Sequence, residues 1–149
     1  MRFLIPLLLL TTPAHAWDFT PYPICTVSHT EDGTDVTVTY DPATALYAIA
    51  VTTQAGWPAA SGFSIRFDGP RPLTISTTRH VITGQTLTVT DRGFGNVLAG
   101  LESNRTATAF TQTAAVSVSL AGAAEPVAAL RACATAPSAC SRARSWSRK

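Results

Sequence analysis

Lysine is all but missing from this chain. Of 149 residues only the last, Lys149, carries a side-chain amine. A nucleotide-binding P-loop needs an internal lysine to reach the phosphates, so that chemistry is excluded. Histidine is nearly as scarce: His15, His29 and His80 stand alone, with no H-E-x-x-H and no G-x-S-x-G around them. Neither a zinc-protease helix nor a nucleophile elbow is present. The three cysteines, Cys25, Cys133 and Cys140, form no ligand pair with the histidines, and a structural zinc site needs four such groups. No metal and no cofactor is expected. Charged residues make up 13% of the chain, about half the usual quarter. Long apolar runs are lacking too. The strongest, Phe3 to Leu10, has eight residues, whereas a membrane-spanning helix needs about 20.

What is present begins with an export signal. Arg2 precedes that short apolar run, and Ala14-His15-Ala16 supplies the small-x-small pattern of a cleavage site. Residues 1–16 are therefore expected to be removed between Ala16 and Trp17, leaving a periplasmic or secreted chain. The 133 residues that follow (149 less 16) suit one domain, expected over 17–140. Arg142, Arg144, Arg148 and Lys149 crowd into 141–149, which reads as a basic, disordered tail. Between Trp17 and Ser141 six basic residues face nine acidic ones, a net of −3. Such a body offers no footprint for nucleic acid.

In an oxidising compartment the cysteines point to a disulfide. Cys25–Cys133 is the favoured pairing, because it ties the first strand to the last helix. Cys133–Cys140, a short clip across Pro137, is the rival.

The body alternates apolar residues with threonine and serine. In 34–40, Val36, Val38 and Tyr40 share one face, and in 63–67 Phe63, Ile65 and Phe67 do the same. Further strands are expected over 24–30, 46–53, 73–82, 86–90, 107–111 and 115–120. Residues 46–53 are apolar on both faces and read as a central strand. Helical spacing appears twice, over 95–103 and 125–134, the second with Pro126 in its first turn. The pattern predicts a mostly β protein: an antiparallel β-sandwich or barrel of seven to eight short strands with two short helices.

The stretch TDRGFGNVLAG (90–100) has the order strand, glycine turn, helix. It lacks the third glycine of the dinucleotide fingerprint, for Leu98 stands there. The expectation is a turn with positive φ at glycine that carries Phe94, Val97 and Leu98 into the core. His29 and His80 read as exposed strand residues. Asp32, Asp35 and Glu31 surround a turn at Gly33, and Asn104-Arg105-Thr106 matches a glycosylation acceptor. Arg66, Arg71, Arg79 and Arg92 would grip an anion if they faced one side; otherwise they form a solvated surface. No residue stands out as catalytic.

The segments at 17–29, 64–77, 91–102 and 119–133 (WDFTPYPICTVSH, SIRFDGPRPLTIST, DRGFGNVLAGLE and SLAGAAEPVAALRAC) resemble a group of small exported alphaproteobacterial proteins. The likeness spans about Trp17 to Ala136. Some members carry the name of an ABC excinuclease component, which this chain cannot fit: a DNA-repair helicase of that kind needs a P-loop, several hundred residues and a cytoplasmic address. More loosely, the closing strand and helix are similar to periplasmic β-proteins of the invasion-associated locus B type. The group has no established activity, so the resemblance implies no catalytic residue. Cys140 and the basic tail depart from its pattern. Together these features lead to the expectation of a non-catalytic binding or envelope-support module with an unknown protein or envelope ligand. A small hydrolase-like enzyme, its site assembled from distant residues, is the alternative.

Overall fold

A computed structural model describes residues 16–136; the leader, Cys140 and the basic tail lie outside the described residues. The β-rich expectation holds, and the architecture is a sandwich rather than a barrel. One antiparallel sheet contains β1 (Asp18–Thr20), β2 (Cys25–Glu31), β3 (Thr34–Asp41), β4 (Leu46–Thr53), β8 (Thr86–Asp91) and β7 (His80–Thr83), in that spatial order. The second runs β10 (Ala115–Ser119), β9 (Thr106–Phe110), β5 (Phe63–Asp68) and β6 (Leu73–Thr77). β4 is interior, as its two-faced apolar run suggested.

Alternation explains how the layers meet. Val27, Val36, Val38, Ile49, Val51 and Leu87 from the larger sheet are buried in one cluster with Phe63, Ile65, Phe67, Ala107, Ala109 and Val118 from the smaller. Side chains of opposite parity point outward and are mostly threonine and serine, many bonded across strands. Thr52 meets Thr86 at 2.8 Å, Ser64 meets Ser76 at 2.7 Å, and Thr108 meets Ser117 at 2.8 Å. Such cross-strand pairs contribute a few tenths of a kcal/mol each, on the order of 0.2–1.

Among the described residues ten strands form where seven to eight were expected, for two reasons. β1 is three residues long, too short to show a period. The run 73–82 breaks into β6 and β7, which belong to different sheets. Its alternation fails at the polar quartet Thr77-Thr78-Arg79-His80. There the Thr77 hydroxyl accepts the Arg79 backbone N–H at 3.1 Å, and the chain crosses from one sheet to the other.

Helix α1 (Gly95–Ser103) buries Val97, Leu98, Gly100 and Leu101, and α2 (Ala124–Thr135) buries Val127 and Leu130. Cys25 and Cys133 form the disulfide, joining β2 to α2 with Cα atoms 6.2 Å apart. A charge-assisted bond from Arg131 Nε to Glu102 Oε1 at 2.6 Å links the two helices.

Asn104 closes α1 and is buried. Its Nδ2 donates to the Gly100 carbonyl (3.1 Å) and the Arg71 carbonyl (2.8 Å), and its Oδ1 accepts the Arg71 N–H (3.0 Å). One side chain thus satisfies a last-turn carbonyl and pins the 69–72 turn. Because it is occupied in this way, the acceptor motif presents no free amide for glycosylation. Asn104→Ala would orphan three backbone groups, and a loss of about 2–3 kcal/mol is expected in chemical denaturation. Asn104→Asp, which keeps only the acceptor, should recover a minor part of it.

Candidate functional site

The sheets part beside the Thr78–Arg79 crossing, where β6 and β7 are both edge strands. A partly open pocket of about 140 Å³ lies there between the layers. Ile49 and Val89 form its wall from the larger sheet, Phe63, Ile65 and Ile75 its wall from the smaller. Phe94 and Val97, from the turn and first residues of α1, close the back. Alternation dictates the two walls: Phe63, Ile65, Ile75 and Val89 are inward residues of β5, β6 and β8, beside the edges formed by β6 and β7.

Arg79 and Asp91 stand at the mouth with Ser76 and Thr77. The Arg79 Nη2 group donates to Asp91 Oδ2, and Asp91 Oδ1 accepts the Arg92 backbone N–H at 2.7 Å. Arg79 is anchored on both sides in the chain. Its own N–H is held by Thr77, and the neighbouring His80 ring bonds the Ala60 carbonyl through Nε2 at 2.9 Å. A shallow groove continues past it over Gly62, Ser64, Ser76 and Thr78. A second void, of about 20 Å³, sits deeper between the sheets and is lined wholly by apolar side chains and Trp17. It is large enough for about one water-sized sphere and is a packing gap.

Phe94 is buried, as are Val97 and Leu98, in agreement with the expectation for the 90–100 stretch. The Phe94 ring stacks on Tyr47 with centroids 5.5 Å apart and planes 12° from parallel. Burial pushes the Tyr47 hydroxyl above its ordinary value of 10.0, and Tyr40 adds to the rise while Arg131 offsets it. Tyr47 is therefore a neutral phenol at neutral pH. Positive φ at the turn does not occur: neither Gly93 nor Gly95 adopts it, and a Cβ at either would meet open space. The glycine that the stretch requires is Gly100, whose Cα faces the Phe67 ring. Close helix-to-strand approach is thus achieved two residues later than a nucleotide fingerprint would place it, at Gly100 rather than at Leu98.

The four arginines are distributed as follows. Arg66 lies on β5 and bonds Asp68 at 3.0 Å, Arg71 sits in the turn pinned by Asn104, Arg79 guards the pocket, and Arg92 follows β8. Of the four only Arg79 lines the inter-sheet pocket.

His29 is not an exposed strand residue: it retains 4% exposure. Its parity was the missed signal, since Cys25, Val27 and His29 are successive inward positions of β2. The ring stacks on Trp17 at 4.6 Å, 8° from parallel, with Glu31 Oε2 3.5 Å from Nε2. Among the described residues neither ring nitrogen has a hydrogen-bond partner. No serine hydroxyl among the described residues is bonded to it, nor to His80, which is half-buried with its ring on the Ala60 carbonyl. Among the described residues no group of three histidine, cysteine or carboxylate side chains is arranged to hold a metal, and no helix is long and apolar enough to cross a membrane. Comparison with protein-family models, with curated proteins and with solved structures gives no match.

Proposed function

We propose that this chain is an exported, non-catalytic binding module whose ligand, or the apolar end of it, enters the pocket between the sheets. The observation that carries the reading is the pocket itself. Seven apolar side chains enclose about 140 Å³, and the charges among its lining residues are a paired arginine and aspartate at the rim. Ligand sites are commonly of this kind, largely apolar with a few convergent polar groups. An engineered 150 Å³ cavity lined by leucine, isoleucine and phenylalanine takes up benzene, so a body of about six carbons fits.

Export to the periplasm, with cleavage between Ala16 and Trp17, is part of the same proposal. The Cys25–Cys133 disulfide supports it, since such bonds persist in oxidising compartments. The hydrolase alternative draws little from the geometry, because His29 is enclosed and His80 is committed to a backbone carbonyl.

Titrating the protein with 1-hexanol while following backbone amide resonances tests the reading. Shifts are expected to gather on residues 63–65, 75–79 and 89–97, and to disappear in Val97→Phe, which fills the pocket. Shifts scattered over the surface, or none at all, would overturn it.

A further inference from the structure

The pocket has a polar end as well as an apolar one, and the two differ in what they leave unused. Both Asp91 oxygens already have a donor: one accepts from Arg79 and the other from the Arg92 backbone. Of the Arg79 guanidinium only the Nη2 group donates to a described residue, so among the described residues Nε and Nη1 have no acceptor. The Arg79 side chain is 71% exposed, that of Asp91 35%. Arginine's fork is shaped for two parallel bonds to a carboxylate, and such bonds are about twice as strong as neutral ones. The hydroxyl of Thr78 and the groove beyond add polar surface on the same side.

We infer that the ligand is a small apolar monocarboxylate, its body of about six carbons in the inter-sheet pocket and its carboxylate on Arg79. The inference rests on the reading of the pocket as a ligand site. A cationic head is disfavoured, since Asp91 has no oxygen without a donor. A neutral head would leave the Nε and Nη1 donors to water. The Thr77 and His80 anchors hold the backbone on either side of Arg79, so little ordering of the main chain accompanies binding.

The test compares hexanoate with 1-hexanol, which share a tail and differ in charge, by amide-resonance titration at pH 7 and low salt. Hexanoate is expected to bind on the order of tenfold more tightly, a difference of about 1.4 kcal/mol. In Arg79→Gln that preference should vanish while hexanol affinity stays the same. Asp91→Asn keeps an acceptor for Arg92 but removes the competing negative charge, so hexanoate should gain several-fold. Raised salt should erode the preference, as it does for exposed charge pairs. Equal binding of the two probes, or a hexanoate preference that survives in Arg79→Gln, would overturn the carboxylate inference and leave the pocket reading intact. Failure of both probes to bind would overturn the two together.

Discussion

Replacing Cys25 and Cys133 together by alanine is expected to destabilise the fold by roughly 4–5 kcal/mol, because the bond closes a very long loop. The sequence separation is 108 residues. In the chain-entropy account a loop of about 100 residues contributes about 4.7 kcal/mol by restricting the unfolded chain. The rest of the attachment is modest. α2 buries only Val127 and Leu130 completely, and its hydrogen-bonded tie to α1 is the half-exposed Arg131–Glu102 pair. Full burial of two such side chains contributes about 3–6 kcal/mol. Without the disulfide the margin of a typical domain, about 5–15 kcal/mol, would be cut by a third or more. Urea denaturation of the oxidised protein and the double alanine variant measures the difference. The variant should also show a larger m-value, because its denatured state exposes more surface. A loss below about 1 kcal/mol would mean that packing alone holds α2 to the sheet.

The second large effect is expected at Gly100. A Cβ there would stand inside contact distance of three ring atoms of Phe67. Phe67 has no exposure and lies between the sheets, so its ring cannot swing aside cheaply. Overpacking of this kind costs about 1–3 kcal/mol, against which alanine's helix preference over glycine returns about 1. Gly100→Ala should therefore lose up to about 2 kcal/mol, and Gly100→Val, bulkier and β-branched, clearly more. Gly93→Ala and Gly95→Ala, where a Cβ meets nothing within 4 Å, should leave the denaturation midpoint nearly unchanged. The contrast separates the glycine that packs from the glycines that only look like a motif. A destabilising Gly93→Ala with a neutral Gly100→Ala would refute the assignment.

The layers of the sandwich were legible because each strand presents one apolar parity, and that parity alone decides which side chains face inward. Phe63, Ile65 and Phe67 needed nothing more than their spacing. The same rule, applied strictly, would have placed His29 inside beside Val27 and Cys25; the polarity of histidine masked the register. The crossing at Thr78–Arg79 was not legible, because alternation says nothing of which sheet a strand joins. The pocket was half legible. Its wall residues follow from parity, and Arg79 was one of four arginines singled out, but its partner Asp91 and its place at the mouth depend on where two edges diverge. Gly100 was hidden for a similar reason. Its role is set by Phe67, 33 positions earlier, and no local pattern connects them.

One remaining contact concerns what the sandwich avoids. Ser119 ends β10, an edge strand, and both of its outward backbone groups are taken by side chains of the other sheet's margin. Trp17 Nε1 donates to its carbonyl at 2.9 Å, and Glu31 Oε2 accepts its N–H at 2.6 Å. An uncovered edge is a template on which a neighbouring chain can add a strand. Here an indole and a carboxylate stand in for that neighbour, and the carboxylate brings a charge that a second strand would have to bury. At its C-terminal end β10 is thus shielded against fibrous self-association.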